Sequence, residues 1–215
     1  MDLVEFEWSK CVDGYELIDV DWASEDQKEK KYLARMIVRK SRRTCRFRLL
    51  DPEAFAKFAN AEPSETGMIE FCNRFGQPDL QGGFTSVAWL IEQQKALKTA
   101  WQSLESDNPS ELIVALDLNR AGACDLRLRT TASGELELVF VPQTLLQALW
   151  TQLAFYAVSE TQIFRCKHCG DPFRTGHQTG RRNTREYCGD SCRLAASRAR
   201  TQKRRPRLVS PMAAE

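Results

Sequence analysis

Four cysteines between positions 166 and 192 constrain this chain more than any other feature. Cys166 and Cys169 form a C-x-x-C pair, and Cys188 and Cys192 form a C-x3-C pair after eighteen intervening residues. Each pair is close enough for both sulfurs to reach one ion from one tight turn, and four thiolates complete a tetrahedral Zn²⁺ shell at about 2.3 Å. The surrounding segment is rich in Arg and Gly and short of aliphatic residues, so it has too little apolar surface to fold unaided. Gly170 suits the backbone reversal of a knuckle, and Phe173 and Tyr187 can pack beneath it. The spacing predicts one structural zinc ion held by Cys166, Cys169, Cys188 and Cys192. A closed four-sulfur shell leaves no open position, so this metal is expected to hold structure and not to catalyse. Two disulfides are the alternative. The other cysteines, Cys11, Cys45, Cys72 and Cys124, are scattered as thiols of a reducing compartment are, which weighs against it. His168 and His177 are read as bystanders, and release of the metal on thiol oxidation as a minor possibility.

Charge divides the chain at the same place. Residues 161–207 carry 13 Arg or Lys and 3 Asp or Glu, whereas residues 1–160 carry 18 basic and 25 acidic side chains. A basic part of this kind suits a polyanion. Arg181, Arg182 and Arg185 precede the second cysteine pair. Arg193, Arg198, Arg200, Lys203 and Arg204 follow it on an expected helix over 193–204. These eight are the candidate nucleic-acid contacts, because arginine forks onto phosphate and guanine edges and neutralised phosphates release counterions. Duplex DNA is the favoured partner, since few aromatics are interleaved for single-strand stacking.

The rest of the chain reads as an α+β domain over 1–160, followed by the finger over 161–207 and a disordered tail over 208–215. Strands are expected at 3–8, 15–20, 36–38 and 45–50, with a turn at Asp13-Gly14 and a basic turn before Cys45. Asp51-Pro52 is expected to start a helix, Ser64 to cap a second and Gly76 to end it. Thr85 is expected to open a longer helix with Trp89, Leu90, Leu97, Trp101 and Leu104 on one face. A short apolar piece starts at Ser110, and a hairpin turns at Ala132-Ser133-Gly134. Residues 138–159 lack formal charge. Thr144, Gln147 and Thr151 nevertheless draw a polar stripe, so a helix opened by Pro142 is expected to be amphipathic and not to span a membrane. Trp89, Trp101 and Trp150 are read as core. The acidic start, Met1 to Glu5, gives no sign of a targeting segment, and a cytoplasmic location is expected.

The run Tyr187-Cys188-Gly189-Asp190-Ser191-Cys192-Arg193, followed by Ala195, Ala196, Arg198 and Arg200, resembles bacterial treble-clef fingers. It is similar to the C-terminal finger of the CGNR family of bacterial transcription regulators. Where that family has Cys-Gly-Asn-Arg, this chain has Cys192-Arg193-Leu194-Ala195. The resemblance implies a treble-clef fold for the finger and a DNA-binding regulator of transcription. Its N-terminal domain would sense a ligand, form a homodimer or bind a protein partner. A zinc-stabilised protein-interaction module, as in a toxin–antitoxin or phage-related assembly, is the alternative. An HNH-type nuclease also uses a treble clef, but the helix after Cys192 has no histidine to rebuild its site. No nucleophile motif or phosphate-cradling glycine loop is present, so an enzyme is not expected.

Overall fold

Residues 7–11 and 15–22 pair with 44–48 and 32–39 in an antiparallel ribbon with a corner in it. The computed structural model describes residues 6–22, 32–49, 51–78, 83–105, 109–118, 124–130, 133–159, 162–175 and 184–204. Strand β1 (Glu7–Cys11) pairs with β4 (Thr44–Arg48), and β2 (Tyr15–Trp22) pairs with β3 (Tyr32–Arg39). Cys11 faces Thr44 and Tyr15 faces Arg39, so the second arm carries one extra residue at the corner. An extra residue on one strand bends a ribbon and sharpens its twist. Lys40 N–H donates to the Gly14 carbonyl at 3.1 Å and Val12 N–H to the Arg43 carbonyl at 3.0 Å, closing the corner. Gly14 has φ +82°, and a Cβ there would come within 2.6 Å of Asn73 Oδ1, the atom that accepts the Tyr15 N–H. The first strand begins later than expected, at Glu7, and residues 1–5 lie outside the described set.

The chain divides into two compact units, Met1–Ser159 and Glu160–Glu215. In the first, α1 (Ala54–Ala59) starts later than Asp51-Pro52 suggests. Asp51 spends its carboxylate on the Glu53 N–H at 3.1 Å and on Lys57 at 2.5 Å, a turn ahead of the helix. Helix α2 (Glu65–Phe75) is capped by the Ser64 hydroxyl, which accepts from Gly67 N–H, and Gly76 ends it at φ 100°. Its buried Met68, Phe71, Cys72 and Phe75 recur at helical spacing. Thr85 does not open the next helix. It is buried in β5 (Phe84–Ser86), paired with Ile37 of β3, and α3 (Val87–Glu105) follows. The apolar piece after Ser110 is a helix, α4 (Pro109–Leu118). The hairpin is β6 (Cys124–Thr130) with β7 (Leu136–Pro142), turning through Gly134 at φ 86°.

Pro142 ends β7, and α5 (Leu145–Ala157) begins at Thr144, which forms a capping box with Gln147. The expected solvent-facing stripe is therefore corrected. Thr144 and Gln147 serve the cap, Thr151 donates to the Gln147 carbonyl at 2.8 Å, and Thr151 and Gln152 are buried. Helix α5 is covered nearly all round over its first turns because it packs against α1, α3 and β7. Leu145, Leu149, Trp150 and Leu153 are fully buried there, with Phe55, Phe58, Leu90 and Leu97 from the facing helices. Trp89 and Trp101 are half-buried, Trp101 edge-on to Phe55 at 5.7 Å. Among the described residues no helix is long and apolar enough to cross a membrane.

Gln152 joins α5 to the start of α1. Its Nε2 donates to the Asp51 carbonyl at 2.9 Å and its Oε1 accepts the Phe55 N–H at 3.2 Å. Gln152→Leu keeps the volume, leaves the Phe55 N–H without its side-chain acceptor at a cost of about 1–3 kcal/mol, and leaves the Asp51 carbonyl with the Ala54 N–H at 3.2 Å. A fall in the urea midpoint of the N-terminal unit with unchanged slope is the expected result.

Candidate metal centre

In the second unit the first cysteine pair sits in the turn between β8 (Gln162–Arg165) and β9 (Pro172–Thr175). Cys166 N–H donates to the Asp171 carbonyl and Gly170 N–H to the Cys166 carbonyl, both at 2.9 Å. Gly170 closes the turn at φ +75°, a conformation that other residues adopt only with strain. Phe173 is buried behind the knuckle, its ring 6.5 Å from that of Phe164. The second pair enters at the start of α6 (Asp190–Arg204), with Cys192 in its first turn. That helix begins three residues earlier than expected, because Arg193 N–H already bonds the Gly189 carbonyl at 3.1 Å. Its N-terminal dipole favours negative charge on the sulfurs.

The four thiol sulfurs all lie within 4.8 Å of one another. Cys169 Sγ is 3.7 Å from Cys188 Sγ, and Cys188 Sγ is 3.5 Å from Cys192 Sγ. A disulfide requires about 2.05 Å, so these are separate thiols. A tetrahedron of sulfurs about 2.3 Å from one ion has edges of about 3.8 Å, close to the distances found. The donor set therefore fits a metal ion that accepts thiolates. Cys166, Cys169, Cys188 and Cys192 are the residues that would hold it.

Electrostatics favour a thiolate at Cys166 and oppose one at Cys188 and at Cys169. Burial resists ionisation of Cys166, but hydrogen bonds from the backbone N–H groups of Cys169, Cys188 and His168 outweigh it and lower its pKa to about 6. Burial, then the neighbouring thiols of Cys192, Cys166 and Cys169, pushes Cys188 well above the usual thiol range. Burial likewise raises Cys169. Four thiolates packed this closely repel one another, and a divalent cation is what balances them.

A clasp without a counterpart among the sequence expectations locks the two halves together. Lys167 N–H donates to the Glu186 carbonyl at 3.0 Å, and the Lys167 ammonium pairs with the Glu186 carboxylate. The opposite charges beside the two cysteine pairs were the available signal. His168 is exposed and outside the cluster, and His177 lies outside the described residues.

Of the candidate nucleic-acid contacts, Arg185 donates to the Tyr187 carbonyl at 3.0 Å, and Arg200 reaches the Tyr187 hydroxyl at 3.5 Å. Tyr187, the residue before Cys188, thus contacts both arginines. Arg193 pairs with Asp190 at 3.3 Å, and Arg198 is exposed. Arg181 and Arg182 lie outside the described residues. Lys203 and Arg204 occupy the last turn of α6, and their side chains lie outside that set too.

The N-terminal unit holds a separate cavity of about 430 Å³ between α4, the β6–β7 hairpin and α5. Leu116, Leu126, Phe140 and Phe155 form its apolar wall, with Asp117 and Thr151 among its polar groups. No protein-family model matches the chain, and the curated proteins contain no match to it.

Elemental analysis is expected to find one metal ion per chain, lost in Cys169→Ser or Cys188→Ser and kept in Cys45→Ser. Removing the metal should abolish hydrogen-exchange protection in β8, β9 and α6 while leaving the N-terminal helices protected. Burial pushes Cys72 up to about 12, so it should stay unmodified by a thiol reagent at pH 8 in the folded protein while exposed Cys45 reacts. Mass mapping of the labelled sites checks this.

Proposed function

We propose that this chain is a zinc-dependent DNA-binding regulator of transcription, related to the CGNR type that its C-terminal sequence resembles. The ion at the four cysteines is Zn²⁺, because an all-thiolate tetrahedral site with no open position suits zinc in a structural role. On this reading the second unit is a treble-clef finger: a knuckle between two strands, then a second pair at a helix start. The protein is a binding protein and not an enzyme.

The observation that carries the reading is the charge of α6 at the metal cluster. Arg193 and Arg200 are seven residues apart and share one side of the helix, while Arg198 extends the cationic surface round it. Arginines on a helix anchored at its N-terminus can neutralise several phosphates of a duplex. The apolar cavity of the N-terminal unit supports a regulatory role, as a place for a small apolar effector. A second reading, a zinc-stabilised docking module for a protein, draws on Leu194, which is 50% exposed among these arginines.

The test is duplex binding by the zinc-loaded chain, measured across a salt series. Neutralising Arg198, Arg200 and Lys203 to Gln should weaken binding and flatten the plot of log affinity against log salt, by about 0.9 for each phosphate no longer neutralised. An unchanged slope and affinity in this triple variant would refute the DNA reading of the finger.

A further inference from the structure

The basic turn of the N-terminal unit has no part in the finger, and its placement is specific. Between Tyr32 and Leu50 the chain carries seven Arg or Lys and no Asp or Glu, although residues 1–160 as a whole are acidic. Arg35, in the middle of β3, pairs with Asp19 and Glu65; the rest of this charge lies toward the corner where the ribbon bends and along β4. The extra residue that makes the corner lies in the segment joining β3 to β4, so Lys40, Arg42 and Arg43 project there, all exposed. Strand β4 carries the charge onward. Its register sets Arg46 opposite Ser9, on the same ribbon face as Arg48, and Arg46 is exposed. Phe47 lies on the other face, where Lys10 sits 5.3 Å over its ring and reaches the Arg74 carbonyl. The corner itself is braced: Ser41 donates to Asp13, and Asp13 also meets Arg43 at 3.5 Å. Among the described residues no carboxylate comes within ion-pair distance of Lys40, Arg42 or Arg46.

From this arrangement we infer that the β1–β4 ribbon is a second polyanion-binding surface, which contacts the phosphate backbone of duplex DNA. A five-residue two-stranded ribbon is about 17 Å long and of the width that a DNA major groove admits. Exposed arginines on a braced turn and on one strand face offer phosphate contacts without reorganising the fold. Clustered exposed cations that outnumber the carboxylate beside them, Asp13, are what a polyanion recruits, by charge complementarity and counterion release. The inference takes its partner from the proposed function, but its position rests on residues that the finger does not contain.

The experiment uses the full zinc-loaded chain with Lys40, Arg42 and Arg46 changed to Gln, beside the finger variant and the wild type, on the same duplex across the same salt series. Binding by the ribbon variant should be at least about tenfold weaker at low salt, with a slope lower by about 2–3, since each phosphate left without its cation removes about 0.9. Arg42→Lys with Arg46→Lys should keep the slope, because charge alone makes the interaction. Arg46→Gln alone, on an exposed side chain, should lower the slope by about 1 with no change in thermal midpoint. A ribbon variant that matches wild type while the finger variant binds more weakly overturns this inference and leaves the finger reading standing. Weaker binding in the ribbon variant alone upholds the inference and removes the finger reading. Weaker binding to anionic lipid vesicles with duplex binding unchanged would assign the ribbon to a membrane surface and overturn the proposal.

Discussion

Four sulfur atoms, crowded to 3.5–3.7 Å where pairs are measured, set the condition for everything in the C-terminal unit. Only Cys166, Pro172, Phe173 and Thr175 are buried among its described residues. A core of that size does not offset the entropy of ordering some forty residues, so the fold needs another source of free energy. Closely spaced thiolates without a cation repel one another, so ionising one opposes ionising its neighbour, as the opposed behaviour of Cys166 and Cys188 indicates. The same atoms that would destabilise the bare unit become its anchor when a metal binds. The Lys167–Glu186 clasp and the β8–β9 hairpin then fix how α6 leaves the cluster.

The N-terminal unit is held differently. Its core is a set of fully buried aromatic and aliphatic side chains on α1, α2, α3 and α5, with Phe58 against Phe71 at 4.7 Å. Buried glutamines tie loops to that core through their amides. Gln77 donates to the Ile37 carbonyl at 2.8 Å, Gln94 to the Ala59 carbonyl at 2.6 Å, and Gln152 spans α5 and α1. None of this depends on a metal. The two units therefore differ in what stabilises them, and their charge differs in the same way.

Local signals were legible in the sequence. The spacing of Cys166, Cys169, Cys188 and Cys192 anticipated a cluster, Ser64 and Gly76 marked both ends of α2, and Gly134 marked the hairpin turn. What the sequence hid was non-local. Nothing near Thr85 reveals that it pairs with Ile37, some fifty residues earlier, and its helix-like neighbours suggested a helix start. Thr144 and Gln147 look like a solvent-facing stripe until the capping box is seen, and Thr151 and Gln152 are polar yet buried because partners lie across the core. The bend in the ribbon depends on the register between two arms separated by a long stretch of chain, so the basic turn read as a simple connection. Charge was legible as a count, and its exposure on one corner was not.

On the proposed function, a single zinc ion bound by these four sulfurs organises the C-terminal unit. X-ray absorption at the zinc edge of the purified chain measures it most directly. The account requires four sulfur neighbours at about 2.3 Å and no nitrogen or oxygen in the shell. A C-terminal unit that is well ordered without any metal, or a shell containing nitrogen or oxygen, would contradict it.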